Sequence, residues 1–458
     1  MKKVDVLVAE IGSTTTVVNA FYDFGSKQPK LLGQGIAATT VLDGDVTIGL
    51  ENAVKDLEKK IKSTLKWDKI MASSSAAGGL KMTVHGLVYD MTAKAAKEAA
   101  LGAGAVLHFV TAGILSDEDI NQILKIMPNI ILLAGGVDYG EKNTVLTNAK
   151  KISALGLKIP IVYAGNMAVQ NEVREIFKGK NHVYFTENVY PRIDELNIEP
   201  TRCVIQKVFE QHIVEAPGMD KIRNIVNGPI VPTPGAVMNA AKLLRNDIGD
   251  LMVLDVGGAT TDVHSVAEDS EEVSKILIAP EPESKRTVEG DLGVFVNRHH
   301  VLDLVGHEKA TETLGFDTKE FIETQPPIPQ NAKEIKMAEY LAQLACKTAV
   351  GRHAGEIKYL FGPGGRFSIA NGKDLTQIKW IIGTGGALTK LPNGIKILKS
   401  LRQEKKGQKL LPTKNAEILI DNYYIMASLG VLSVEYPSES LSLLKQSLKF
   451  HQYKCMTS

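Results

Sequence analysis

Two short stretches hold the residue types and spacing best suited to chemistry. Val6-Leu7-Val8-Ala9-Glu10-Ile11-Gly12-Ser13-Thr14-Thr15 and Met252-Val253-Leu254-Asp255-Val256-Gly257-Gly258-Ala259-Thr260-Thr261 follow one pattern. Each is an apolar run, an acid, one aliphatic residue, then glycine and small or hydroxylic residues. Glycine permits positive φ and close backbone approach. Successive backbone N–H groups in such a turn can converge on phosphate oxygens. The Ser and Thr hydroxyls add donors. A carboxylate at the strand end repels phosphate but can hold Mg²⁺ through water, because that ion prefers oxygen ligands and keeps several waters. One such turn by itself reads as an ordinary strand end. Two copies, each opening its own α/β unit, make a pair able to clamp a polyphosphate.

A third glycine-rich turn, Ile381-Ile382-Gly383-Thr384-Gly385-Gly386-Ala387-Leu388, suits close packing against a purine or its ribose through Gly383, Gly385 and Gly386. A dinucleotide fingerprint needs GxGxxG, and Leu388 occupies the place of the third glycine. No GxxxxGK[ST] occurs, which excludes a P-loop ATPase.

Roles follow from these placements. Asp255 is the first choice for organising Mg²⁺; a strand-end Asp capping its own turn is the plain alternative. Glu10 is the second metal-holding or water-orienting acid. Asp262 after the second turn reads equally as a strand-start hydrogen-bonding residue. Glu289 and Asp291 lie in Arg286-Thr287-Val288-Glu289-Gly290-Asp291-Leu292-Gly293. A general base must lie within one water of the γ-phosphate, and Glu289 is the candidate, whereas Asp291 reads equally as a helix cap. His299, His300 and His307 cluster in sequence, but adjacent histidines diverge on a helix and no fourth ligand is evident. Arg366 reads as part of a solvated turn. Lys445, Lys449 and Lys454, beside Leu444 and Leu448, read as a solvated amphipathic helix rather than a docking element.

The elements that must position these residues alternate along the chain. Residues 4–11, 16–21 and 30–39 read as strands, 46–63 as a helix and 69–73 as a strand. The stretch 93–111 is rich in small helix formers. Strand-like runs at 130–133, 159–164 and 182–185 are separated by helical stretches near 145–155 and 167–177. This βαβαβ rhythm predicts a parallel sheet covered by helices. The pattern then restarts. Strands are expected at 251–256, 262–266, 274–278, 379–382 and 417–420, with helices at 331–352 and 423–432. Glu10 and Asp255 stand 245 positions apart (255 − 10), so the restart reads as duplication of a whole domain. Residues 438–458 form a polar, basic tail.

Composition bounds the rest. The 458 residues are 44% apolar and 23% charged, ordinary for a globular chain of several domains. A formal charge of +1 gives no general pull toward nucleic acid or an anionic membrane. Cys203, Cys346 and Cys455 are scattered, which suits a reducing cytosol. Asp5 and Glu10 interrupt the first apolar run, against a secretory signal. No stretch approaches the ~20 apolar residues of a membrane span. A cytoplasmic protein is expected.

The three turns, in this order and spacing, resemble the phosphate-1, phosphate-2 and adenosine motifs of the actin/heat-shock-chaperone/sugar-kinase ATPase superfamily. Residues 331–351 and 422–432 sit where its connecting helices would lie, with Ala427 and Gly430 suited to a close helix crossing. Narrower features are Ser73-Ser74-Ser75-Ala76-Ala77-Gly78-Gly79-Leu80, Leu133-Ala134-Gly135-Gly136-Val137-Asp138, Val231-Pro232-Thr233-Pro234-Gly235-Ala236-Val237 and the 286–293 segment. Over residues 1 to 435 they resemble the glutamate mutase accessory family, called MutL or GlmL.

The resemblance implies an α/β chain with a two-lobed actin-like ATPase fold. Its ribonuclease H-like domains are duplicated, with an insertion in the N-lobe. The expected divisions are 1–245 (first lobe with its insertion), 246–435 (second lobe) and 436–458 (tail). It implies ATP and Mg²⁺ as cofactors, held by Glu10, Asp255 and the three turns. It also implies an ATP-hydrolysing, chaperone-type reactivating factor whose partner is an adenosylcobalamin-dependent mutase or aminomutase. A small-molecule kinase and a nucleotide-gated scaffold without turnover are the alternatives. The AspXHisXXGly cobalamin signature is absent. Two departures stand out. The family usually carries Asp where this chain has Glu10, and many superfamily members place Lys after the first turn, where this chain has Thr14-Thr15-Thr16-Val17-Val18. A missing cation there would slow phosphoryl transfer, which relies on electrostatic stabilisation.

Overall fold

The first apolar run forms the strand Lys2–Ile11, buried along its second half. It pairs antiparallel with Thr15–Tyr22, which pairs antiparallel with Lys30–Ala38. On its other side Leu65–Ser74 and then Ile230–Pro232 add in parallel. The coordinates are a computed structural model describing residues 1–12, 15–26, 28–41, 43–75, 80–212, 219, 221–228, 230–362, 365–403 and 407–450. Between the third and fourth strands lies the helix Val46–Ile61, started by the Asp45 carboxylate, which accepts from Thr47 N. Val46, Leu50, Ala53 and Leu57 form its buried stripe at helical spacing. Ile48, apolar by sequence, faces water instead. Gly35 lets this helix close on the sheet, since a Cβ there would stand 2.0 Å from Ala53 O.

The second sheet repeats the plan. Leu251–Val256 pairs antiparallel with Thr261–Val266, which pairs antiparallel with Ser284–Glu289. Trp380–Thr384 and Glu417–Ile420 follow in parallel. The long helix Ala332–His353 again falls between the third and fourth strands. Strand order, direction and helix placement therefore repeat, as expected for duplicated ribonuclease H-like domains of the actin-like ATPase fold. The register repeats too. Ile11 faces Thr16 and Val256 faces Thr261, each pair 245 positions from its counterpart (256 − 11 and 261 − 16).

Two compact units result. One comprises Met1–Asn239 with Ala427–Ser440, the other Ala240–Met426 with Leu441–Ser458. The borders fall inside the helices Thr233–Ile248, Met426–Leu432 and Pro437–Ser447.

Between Leu65–Ser74 and Ile230–Pro232 the first unit carries an insertion with its own sheet. All its strands are parallel, in the order Ala105–Ala112, Leu80–Gly86, Ile130–Leu133, Ile161–Tyr163, Val183–Phe185. The 93–111 stretch is thus not one helix. Lys94–Gly102 is helical, and Gly104, at φ 101°, turns the chain into the strand Ala105–Ala112. Residues 274–278 are not a strand either. Ser270 caps the short helix Glu271–Ser274, and the third strand is Ser284–Glu289. Its polar sequence hides its burial, because Arg286 enters the interior paired with Asp262. The tail begins with the helix Pro437–Ser447, which buries Leu443 and Leu444.

Candidate functional site

Asp255 is the penultimate residue of its strand, facing Asp262 on one neighbouring strand and Thr384 on the other. Its surroundings separate it from the other acids. Asp262 is satisfied: Arg286 donates from Nε at 2.9 Å and Nη2 at 2.6 Å, and Thr260 donates at 3.1 Å. Asp421 is satisfied as well. It accepts from Ile425 N and Met426 N at 2.9 Å, from Thr384 at 3.0 Å and from Ser447 at 2.5 Å. Burial nevertheless keeps Asp421 above its ordinary proton affinity. No described residue donates to Asp255. Burial, then the charge of Asp262, pushes its carboxyl up to about 7, with Asp421 adding and Arg286 opposing. A carboxylate with no donor beside two satisfied ones fits a hydrated divalent cation, which brings positive charge and donor waters together.

The adjoining turn is polarised. Gly257 N donates to Thr260 O at 2.9 Å, closing the hairpin. Its other carbonyls are engaged by the loop at 294–297. Val294 N reaches Gly257 O, Phe295 N and Val296 N reach Gly258 O, and Asn297 Nδ2 reaches Ala259 O at 2.8 Å. Gly293 allows this contact, since a Cβ there would stand 2.3 Å from Ala259 O. Among the described residues, the N–H groups of Gly258, Ala259 and Thr260 have no acceptor. Carbonyls held and amides free is the arrangement of an anion-binding nest. The Thr261 hydroxyl is turned inward to Leu292 O at 2.7 Å, and that of Thr260 toward Asp262.

Glu289 ends the third strand opposite Thr261. Arg352, from the long helix, binds it at 2.5 Å and binds Asp291 at 2.8 and 2.9 Å. Burial raises the proton affinity of Glu289 despite that ion pair, whereas the Arg352 hydrogen bonds lower that of the more open Asp291.

In the first unit Gly12 N donates to Thr15 O at 2.9 Å, the same hairpin closure as in the second. Ser13 and Thr14 lie outside the described residues, and Thr15 opens the next strand in solvent. Glu10 is buried, and its Oε1 accepts from Ser428 N at 3.0 Å, Ser428 Oγ at 2.5 Å and Asn19 Nδ2 at 3.4 Å. Its oxygen is thus turned to the helix Met426–Leu432. That helix lies close against Thr233–Ile248. A Cβ on Gly430 would stand 1.8 Å from Ala236 O, in keeping with the expected crossing at a small residue.

The third turn has an internal reason for its glycines. Gly385 sits at φ 82°, and a Cβ there would stand 2.5 Å from Val256 O and 2.6 Å from Asp255 Oδ1. Gly383 packs under Leu398 and Ile420, while Gly386 is open to solvent. The turn therefore meets Asp255 directly.

Sequence reasoning missed Asp421, Arg286, Arg352 and Ser428. An acid between the apolar run 417–420 and the helix beginning at Met426 is a capping signal, so Asp421 was findable. The histidines serve locally: His300 meets Asp291 at 3.1 Å and His307 meets Thr318 at 3.3 Å. No group of three or more His, Cys, Asp or Glu residues forms a direct metal site among the described residues. Arg366 stacks on Tyr359 at 3.7 Å, and Lys445 pairs with Asp247 at 2.8 Å. Lys454 and Cys455 lie outside the described residues. No helix among those described is long and apolar enough to cross a membrane.

Comparison with known proteins places residues 6–448 in the family described as MutL protein. The Protein MutL of Clostridium tetanomorphum is 38% identical over 452 residues, covering 93% of this chain and 98% of that one. Among solved structures, nucleotide-free acetone carboxylase aligns over 94% of this chain and 70% of that one, at 12% identity and a TM-score of 0.42. A glycerol dehydratase reactivase aligns over 93% and 99%, at 11% identity and a TM-score of 0.33.

Proposed function

Taking as premise that this chain belongs to the MutL protein family, we propose that it is an ATP-dependent reactivating factor for an adenosylcobalamin-dependent mutase or aminomutase. Its client would exchange damaged cobalamin for intact coenzyme in the bound complex. The observation that carries the nucleotide part is the turn after Asp255, with its carbonyls engaged and, among the described residues, no acceptor for its three amides and no donor to the carboxylate beside it.

In this reading Gly258, Ala259 and Thr260 receive phosphate oxygens on their amides. Asp255 holds Mg²⁺ through water, with Glu10 as the acid of the duplicated turn. Bound Mg²⁺ would neutralise charge on the phosphate chain. Gly12, Ser13, Thr14 and Thr15 would be the corresponding phosphate-binding residues of the first unit, and Gly383, Gly385 and Gly386 would pack against the nucleoside. Glu289 takes the proton of the attacking water, a task favoured by its burial-raised proton affinity. Arg352 fixes its position, and the Asp262–Arg286 pair stiffens the strand that follows the nest.

A switch requires that ATP and ADP bind two conformations with different affinity, and that the client distinguish those conformations. The test is recovery of an inactivated mutase by this protein with ATP and free coenzyme. Recovery that needs ATP and is lost in Asp255→Ala supports the proposal, and absence of Mg·ATP affinity ends it. Engagement of Glu10 by Ser428 favours a second reading, a scaffold that binds ATP without turnover. Client-stimulated phosphate release decides between the two.

A further inference from the structure

The inserted sheet places an apolar rim along one edge. Its five strands are parallel, so the loops that leave them emerge together at the carboxyl edge. In this strand order that edge is where such sheets meet their ligands. Every one of these loops leaves large apolar side chains in water. They are Val88 and Tyr89 after Leu80–Gly86, Ile114 after Ala105–Ala112, Tyr139 after Ile130–Leu133, Met167 after Ile161–Tyr163 and Ile193 after Val183–Phe185. Tyr139 is 74% exposed and Ile193 70%.

The loop that carries Tyr139 is tied down from within. Asn166, fully buried, accepts from Tyr139 N at 2.9 Å and donates to Gly140 O and Glu141 O at 3.3 and 3.1 Å. Asn188, also buried, donates to Gly136 O and Asp138 Oδ1 at 3.0 Å. Held in this way, Tyr139 has φ 62°, and Asp194, whose N–H donates to the Tyr190 hydroxyl at 2.9 Å, has φ 61°, values that residues other than glycine seldom adopt. The strained loop leaves its aromatic ring in water, and such strain gathers at functional positions. Pre-ordering a ring in this way lowers the cost of binding.

The charge of the rim is one-sided. Asp90, Glu141, Glu187, Asp194 and Glu195 are exposed there against Lys142 and Arg192. Five strands at their usual spacing span roughly 20 Å, the scale of a protein patch rather than a small molecule.

We propose that this carboxyl edge is the face on which the client enzyme docks, through a basic and apolar patch of its own. The proposal rests on the reactivating-factor reading above.

The test uses the full chain with purified glutamate mutase, ornithine aminomutase and lysine aminomutase, with affinity measured by titration. Tyr139→Asn removes the ring and keeps a residue tolerant of positive φ. A triple variant, Asp90→Lys with Glu187→Lys and Glu195→Lys, reverses the charge. The control is Met127→Asn, also exposed and at φ 48° but at the end of the helix that leads into the sheet from the opposite edge. Both rim variants should weaken binding of the client roughly tenfold or more, as truncation of an interface anchor does. The control should bind as the unaltered chain, and all variants should keep their Mg·ATP affinity. Rim variants that bind as tightly as the unaltered chain overturn the proposal. So does failure of the unaltered chain to bind any of the three enzymes. Self-association abolished by the rim variants would assign the face to a second copy and also overturn it. Loss of client binding in the rim variants, in a chain that never binds Mg·ATP, would leave the docking face standing and remove only the nucleotide part of the function.

Discussion

At the scale of residues, Asp255 makes a pH prediction with a definite sign. Its ordinary value is about 4, and the fold raises it to about 7. Between those values the folded protein keeps a proton that the unfolded chain has released. The contribution of this group to stability therefore falls as pH rises through that window. Ligand-free Asp255→Asn should lack that fall and melt higher than the unaltered protein at about pH 8, where the native carboxylate is charged. Thermal melts across the window check this, and equal melting of the two proteins would contradict it. Arg286 makes the opposite case. It is 1% exposed and bound to Asp262, so Arg286→Met strands a buried carboxylate and should cost about 3–5 kcal/mol in urea unfolding. Adding Asp262→Asn should return much of that loss.

At the scale of elements, close approaches separate glycines that look alike in sequence. Gly430→Ala drives a Cβ into the Ala236 carbonyl and should destabilise by about 1–3 kcal/mol. Gly351 lies in a long helix with open space around it, and Gly351→Ala should instead stabilise by about 0.5–1 kcal/mol. Chemical denaturation of the two variants side by side tests the pair. The same contrast explains what the sequence could and could not reveal. Leu251–Val256 and Ile130–Leu133 are buried apolar runs, and their strands were legible for that reason. Ser284–Glu289 is buried by ion pairing, so its pattern of polar residues concealed it. The duplicated turns were legible as motifs. The polarity of the second one was not, because the donors to its carbonyls come from residues 294–297, far along the chain. Asp421 acquires its role only when the parallel register brings Thr384 to it.

At the scale of the whole molecule, the insertion and the first sheet share one hydrophobic core. Val4, Leu7 and Ala9 belong to the same buried cluster as Leu80, Met82, Val84 and Ala95. The insertion is therefore not an independent module, although its strand order is complete in itself. A fragment of residues 80–212 lacks the part of this cluster that the first sheet supplies, and should give a poorly dispersed amide spectrum. A sharp, well-dispersed spectrum would show that its own core suffices. Repetition of the ribonuclease H-like plan was legible from the 245-residue recurrence. The parallel insertion was legible only as a rhythm, because Leu80–Gly86, its first strand in the chain, follows small residues and carries the polar Thr83 and His85 inside. The central claim is that the turn after Asp255 binds a magnesium nucleotide, and calorimetric titration of Mg·ATP into the unaltered protein and Asp255→Asn tests it most directly. Saturable, magnesium-dependent binding by the first and none by the second is predicted; equal affinity of the two, or none in either, would contradict it.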